Sequence, residues 1–249
     1  MTITSNPQPS KPLSLEVLTR VALPTRRHSP GDAGHGHVDA ELVAFEPSLG
    51  GEHVALLIKN WDKSRTPLVR VHSECLTGDV FGSARCDCGA QLDEAVQLMK
   101  WQGGIILYLR QEGRGIGLYN KLKAYRLQDE GLDTYEANRA LGLAEDARDY
   151  RVAGAMLHAL GVRRCRLLTN NPVKCEQLRA GGIDVEQHGT GVHVTKANRR
   201  YLEAKAHHGR HLITLPTPAT HVGALPEQAV PRHVAAALPE PALPEREDS

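Results

Sequence analysis

Polar and apolar positions change rhythm about a third of the way along the chain. Up to Val71 the apolar residues come in short runs: Leu18 to Leu23, Leu42 to Phe45, His53 to Lys59 and Leu68 to Val71. Such runs, divided by turn-forming residues such as those from Trp61 to Pro67, predict β-strands. Past Gln91 the spacing becomes helical. Leu92, Ala95, Val96 and Met99 follow one helical stripe that ends at Gly103-Gly104, and Leu118, Leu122 and Tyr125 share another face, closed by Gly131. Thr134 is placed to cap a short helix ending near Gly142. Ala153, Met156, Leu157 and Leu160 mark a helix ending at Gly161, and Pro172 suits the first position of the next. Ile105 to Leu109, Cys165 to Leu168 and Ile183 to Glu186 read as strands between them. The predicted fold class is α/β (α+β mixed), with a β-rich N-terminal part packed on an alternating strand/helix core.

Composition bounds the ends and the partners. At 249 residues the chain suits one large domain or two small ones, and its 4% aromatic content leaves a core of Leu, Val, Ile and Ala. Residues Met1 to Pro12 are polar and predict a loose end. From Thr214 onward, proline with alanine and charge predicts a disordered tail that buries no core. A net charge of +1 argues against a dedicated nucleic-acid binder, yet leaves room for a small anion met by local Arg and Lys. The N-terminus has no apolar signal region and no run is long enough to cross a bilayer. Five cysteines, an odd number unevenly spread, do not form a secreted disulfide framework. A reducing, cytoplasmic location is predicted.

Chemistry concentrates in RVHSECLTGDVFGSARCDCGAQ, residues 70 to 91. Cys75, Cys86 and Cys88 lie there among His72, Glu74, Asp79 and Asp87. Thiols clustered beside acidic residues are a poor core pattern and point to a soft divalent metal, zinc first. Three thiolates with an open fourth position describe a catalytic site. A fourth ligand from Cys165, Cys175 or His72 would make it structural, and spacing alone leaves both open. His28, His35 and His37, in a glycine-bearing loop with no cysteine, read more simply as solvated residues than as a second metal site.

Three further stretches suit an anion. RQEGRGIG (residues 110 to 117) follows a strand and precedes a helix, where backbone amides, Arg110 and Arg114 can meet a phosphate; an ordinary glycine turn has the same pattern. AEDARDY offers Asp146, Arg148 and Asp149, either as a solvated helix start capped by Asp146 or as a carboxylate and guanidinium facing a phosphate. LTNNPVK places Thr169 and Lys174 around a strand-to-helix turn.

Taken together, RVHSECLTGDVFGSARCDCGAQL, RQEGRGIGLYNKLKAY, LQDEGLDTYEAN and LLTNNPVK resemble the motifs of GTP cyclohydrolase II, in order and in spacing, over roughly Leu18 to His211. The resemblance implies a zinc enzyme that opens riboflavin biosynthesis by converting GTP to a diaminopyrimidine, formate and pyrophosphate. It implies Cys75, Cys86 and Cys88 as ligands of one catalytic zinc per subunit, and magnesium on the GTP triphosphate. GTP would be held by Arg70, Val71, His72, Ser73, Glu74, Gln91, Glu112, Gly113, Arg114, Thr134, Thr169 and Lys174. Asp146 would accept a proton, Arg148 would act at the α-phosphate, and Tyr125 matches the family's active-site tyrosine. Arg148 is described in the family as a nucleophile, but a guanidinium stays protonated, so stabilising phosphoryl charge is the easier role. The implied layout is a flexible segment at 1–17, a catalytic domain at 18–213 and a tail at 214–249, in a monofunctional homodimer with no nucleic-acid or membrane partner. The His-Gly loop, one residue missing before Gly103 and the tail depart from the compact family pattern, and none touches a motif. A variant that keeps the formyl group and a non-catalytic GTP-binding module are the competing readings.

Overall fold

The computed structural model describes residues 13–25, 37–46, 51–58, 65–144, 146–208 and 215. These all fall within one compact unit, Met1–Leu215. His28, His35, the N-terminal dozen residues and the proline-rich tail lie outside the described residues.

One seven-stranded sheet organises the fold. Its strands are β1 (Val17–Ala22), β2 (Ala40–Phe45), β3 (Val54–Ile58), β4 (Leu68–Ser73), β5 (Gly104–Leu109), β6 (Arg164–Leu168) and β7 (Asp184–His188), in the order β1-β2-β3-β5-β4-β6-β7. The first three strands form an antiparallel meander that joins β5 antiparallel, whereas β5, β4, β6 and β7 run parallel. The β-rich N-terminal part is therefore continuous with the alternating core, edge to edge, because β3 pairs directly with β5. Short turns suffice for the meander, while parallel neighbours need crossovers, which is where the helices enter.

The helices are α1 (Leu76–Asp79), α2 (Cys88–Gln102), α3 (Leu118–Asp129), α4 (Thr134–Ala140), α5 (Arg151–Ala159), α6 (Pro172–Ala180) and α7 (Arg199–His208), with a 3-10 turn at Glu112–Gly115. Leu92, Ala95, Val96 and Met99 of α2 pack on one face of the sheet with Ala40, Ile58 and Ile106. Val152, Ala153, Met156 and Leu157 of α5 and Leu178 of α6 cover the other, against Val69, Val71, Ile105 and Leu107. Both faces of the central strands are thus buried, which explains their continuous apolar runs. Period-two alternation along β4 has a further effect. Val69 and Val71 enter the α5/α6 core, so Arg70 and His72, with Leu68, turn toward the α2 face.

Local expectations needed revision at three places. Asp133, not Thr134, caps α4: its carboxylate accepts from the Tyr135 and Glu136 amides while Glu136 reaches back, a capping box. Leu122 is 45% exposed, so its helical face is not a core face. The inward face of α3 is instead Lys121, Ala124, Tyr125 and Gln128, which line a cleft. The short helix α1 and the helix α7 carry no clear apolar stripe and escaped the periodicity. No helix among the described residues is long and apolar enough to cross a membrane.

Candidate active site

The carboxyl ends of β4, β5 and β6 open onto two adjoining clefts. β4 leads into the first cysteine, β5 into the glycine-rich turn and β6 into the Thr169-Asn170-Asn171 turn. Because β4 connects to β5 on one side and β6 lies on its other side, the strand order reverses at this point, where open α/β sheets place their ligands.

The first cleft, about 650 Å³, contains the thiols. The sulfurs of Cys75, Cys86 and Cys88 all lie within 4.8 Å of one another, and Cys75 and Cys86 are 3.6 Å apart. A tetrahedral thiolate site with zinc–sulfur bonds of about 2.3 Å requires sulfurs about 3.8 Å apart, so this donor set fits zinc. Cys165 and Cys175 are buried in the α5/α6 core and do not join it, and His72 is engaged elsewhere. The group that can hold a metal among the described residues therefore has three protein ligands. Gly78 makes this spacing possible: a Cβ there would stand 2.9 Å from the Cys86 sulfur and 3.1 Å from that of Cys75.

Cys75 is supported at both its backbone and its sulfur. The buried Asp79 carboxylate accepts from the Cys75 amide (2.9 Å) and the Tyr108 hydroxyl (2.8 Å), and meets His72 Nε2 at 3.0 Å. Lys121 Nζ reaches Cys75 Sγ at 3.1 Å and donates to Glu112 Oε1 at 2.8 Å, while Glu112 Oε2 accepts from the Leu76 amide. Hydrogen bonds from the other two thiols, followed by the Lys121 charge, hold Cys75 well below the usual thiol range. The same coupling to Cys75 pushes Cys86 up to about 11 and Cys88 upward as well. Three thiols so close cannot all ionise without a cation among them. Tyr125 lies in the wall of this cleft, its hydroxyl 3.2 Å from Thr77 Oγ1 and its ring under Arg85 at 4.9 Å. Burial pushes its phenol up.

The second cleft, about 560 Å³, is lined by five cations: Arg70, Arg114, Arg148, Lys174 and Lys205. Ser73, Cys88, Arg114, Arg148 and Tyr201 line both clefts, so the two are continuous. Burial, followed by the charges of Arg70, Arg148 and Lys205, drives the Lys174 ammonium well below its ordinary range. Its Nζ donates to the Val71 carbonyl at 2.7 Å. Arg70 Nε and Arg114 Nη1 are buried with no acceptor among the described residues. Converging positive charge with unmet donors is the electrostatic description of an anion pocket.

The glycine-rich turn supplies part of that charge through an unusual backbone. Arg114 has φ 62, left-handed for a residue with a side chain, which costs on the order of 1 kcal/mol or more. Gly115, at φ 88, brings the turn against Ala147, where a Cβ would lie 3.1 Å from backbone carbon, and the Ala147 amide donates to the Arg114 carbonyl at 2.9 Å. The AEDARDY segment is thereby tied to the turn. Asp146 grips Arg148, accepting from Nε at 2.9 Å. Burial opposes the Arg148 charge, but Tyr150 and Asp146 outweigh it and hold the guanidinium above its ordinary value. Burial alone would raise Asp146, yet the bond from Arg148 holds its carboxyl below the ordinary range.

Most of the residues expected from sequence do converge. Glu74, Glu112, Gly113, Thr134 and Tyr125 line the thiol cleft; Arg70, His72, Gln91, Thr169 and Lys174 line the cationic one; Ser73, Arg114 and Arg148 line both. Val71 is fully buried and offers only its backbone, already used by Lys174. Asp146 lines neither cleft, stands 42% exposed beside Arg148, and does not cap α5, which starts after Tyr150. Lys121, Arg85, Tyr201 and Lys205 were not singled out from sequence. Lys121 had a signal, lying one helical turn before Tyr125 in NKLKAY. Tyr201 and Lys205 sit in a polar helix without cysteine or glycine punctuation.

Comparison with known proteins yields consistent matches. A family model described as GTP cyclohydrolase II matches residues 32–190. The chain is 55% identical over 178 residues to a GTP cyclohydrolase-2 of Vibrio parahaemolyticus, covering 70% of this chain and 90% of that protein. It is 56% identical over 185 residues to a GTP cyclohydrolase-2 of Psychromonas ingrahamii, covering 73% and 92%. A GTP cyclohydrolase-2 of Neisseria meningitidis is 51% identical over 176 residues, covering 70% and 89%.

Proposed function

Because the chain belongs to the GTP cyclohydrolase II family, we propose that it hydrolyses GTP to 2,5-diamino-6-(5-phosphoribosylamino)pyrimidin-4(3H)-one, formate and pyrophosphate, the entry reaction of riboflavin biosynthesis. The observation that carries this reading is the continuity of a three-thiol cleft with a five-cation cleft. One suits a hydrolytic metal beside the guanine ring; the other suits the triphosphate.

Cys75, Cys86 and Cys88 would hold the zinc. Zinc bound there supplies a water whose pKa falls to about 7. Asp79 fixes the Cys75 backbone, and Lys121 and Glu112 fix its side chain and the start of α1. Tyr125, held by Thr77, is placed to give a proton to a ring nitrogen or to hold the opened ring. On the triphosphate, accompanied by magnesium, Arg70, Arg114 and Lys174 neutralise charge and Thr169 offers a hydroxyl. Arg148 serves the α-phosphate as a fixed cation: its grip by Asp146 keeps it charged, which supports electrostatic stabilisation over nucleophilic attack. Asp146, at the rim, acts on protons through solvent. The catalytic domain spans 18–213, and the enzyme works as a cytoplasmic homodimer.

Incubating the purified chain with GTP, magnesium and zinc, and identifying products by mass, tests the proposal. Formate and pyrophosphate released in equal amounts are expected. Pyrophosphate without formate would replace it with a reaction that retains the formyl group, and GTP binding without either product would replace it with a non-catalytic role.

A further inference from the structure

The helix α7 follows the segment matched by the family model, which ends at residue 190. Yet α7 delivers Tyr201 to both clefts and Lys205 to the cationic one. Lys205 Nζ donates to both Asp87 oxygens, at 3.2 and 3.3 Å. The Asp87 side chain is 1% exposed and lies between Cys86 and Cys88 in sequence. Asp87 Oδ2 also accepts from Gln91 Nε2 at 2.6 Å, and Gln91 Oε1 accepts from Arg70 Nη2 at 2.6 Å.

This chain of bonds has a direction. An ionised Asp87 accepts only, so the Gln91 amide must present Nε2 to it and its carbonyl oxygen to Arg70. The other terminal Arg70 nitrogen, Nη1, donates to the Leu168 carbonyl at 3.2 Å. The guanidinium is thereby fixed in plane at the floor of the anion pocket. A buried carboxylate next to that pocket would by itself repel a triphosphate and draw Arg70 inward. Lys205, bonded to both carboxylate oxygens, cancels that charge.

We propose that Lys205 is a positioning residue for the triphosphate: by neutralising Asp87 it sets Gln91 and Arg70 in the geometry that receives the anion. The role rests on the GTP reading given above. It differs from a direct phosphate contact in one respect. If Lys205 acts through Asp87, removing the Asp87 charge makes the lysine dispensable.

The experiment compares wild type, Lys205→Ala, Lys205→Arg and the double variant Lys205→Ala/Asp87→Asn. It reads KM for GTP, kcat, bound zinc, and the affinity of the zinc-loaded protein for inorganic pyrophosphate by calorimetry. Lys205→Ala is expected to raise KM and the pyrophosphate Kd at least tenfold, with kcat and zinc content within threefold of wild type. Lys205→Arg restores both, because it keeps the cation. Asn at 87 still accepts from Gln91, so the double variant recovers to within threefold. Failure of the double variant to recover while Lys205→Arg does would overturn positioning in favour of direct contact. An unchanged KM and Kd in Lys205→Ala would overturn any role at the anion. A purely structural role would lower kcat, zinc content and melting temperature together without rescue by Asp87→Asn. If wild type does not turn over GTP, the functional reading fails, and the pyrophosphate affinities decide the positioning role on their own.

Discussion

Gly78→Ala is the most direct test of whether thiol spacing governs metal binding. Gly78 lies in α1, and its backbone is outside the left-handed region, so alanine meets no conformational obstacle. The obstacle is space. The added carbon would sit 2.9 Å from Cys86 Sγ, 3.1 Å from Cys75 Sγ and 3.2 Å from Cys88 Cβ. Comfortable contact begins at about 3.5 Å, so one sulfur must retreat by about 0.6 Å and another by about 0.4 Å. Metal sites tolerate about 0.2 Å in ligand distance. The displacement thus exceeds the tolerance two- to threefold. Overpacking of this kind costs about 1–3 kcal/mol, and disturbed ligand support weakens metal affinity about 10- to 100-fold. The assay strips the protein with a chelator and titrates zinc against a competing chromophoric chelator, alongside thermal melts. Gly154→Ala is the control: Gly154 lies within α5, and beyond its own helical backbone no atom of the described residues lies within 4 Å of an added Cβ, so alanine should stabilise by about 0.5–1 kcal/mol. If Gly78→Ala bound zinc within threefold of wild type and melted unchanged, the thiol cluster would not be the metal site.

Asp79→Ala removes the acceptor for the Cys75 amide, the Tyr108 hydroxyl and the His72 ring, where the Asp79 and His72 side chains are each 3% exposed. Orphaning buried donors costs about 1–3 kcal/mol each, so urea unfolding should show a loss of roughly 3 kcal/mol or more; a loss under about 1 kcal/mol would refute the network. Glu94 contacts His193 Nε2 at 3.0 Å, and this bond raises the His193 pKa against its burial. A raised folded value means that the pair stabilises fully below about pH 6.5 and that the contribution fades as pH rises through the folded pKa. The stability gap between wild type and His193→Gln, under about 1 kcal/mol for this partly exposed pair, should therefore be full below about pH 6.5 and close as the pH rises above it; a gap that is flat or widens contradicts it. Arg148→Lys keeps the charge and loses the paired bonds to Asp146, so pyrophosphate release should fall about 10- to 100-fold without vanishing. Complete loss, with a guanylyl adduct trapped on the wild-type protein, would restore the nucleophilic role.

The thiol cluster and the anion motifs were legible because their chemistry is written in adjacent residues. Cys86 and Cys88 flank Asp87, and Arg114 lies in a run of glycines. The cap of α4 was misplaced by one residue because Thr134 and Asp133 both suit an N-cap, and only the reciprocal bond with Glu136 decides. The inward face of α3 was misread because that helix lines a cleft instead of a core. There polar Lys121 and Gln128 face inward and apolar Leu122 faces water. Periodicity reports burial against apolar surface, and it fails where the buried face serves a ligand.

By itself the sequence determined the alternation of strands and helices, the three thiols and the local turns. These depend on contacts a few residues apart, which spacing encodes. The tertiary structure alone decided that β4 stands between β5 and β6, and that Arg70 turns toward α2 while Val71 turns away. It also decided that Lys205 reaches Asp87 from 118 positions along the chain. Such pairings are set by which strands meet and where crossovers return, and no periodicity of the chain records that choice.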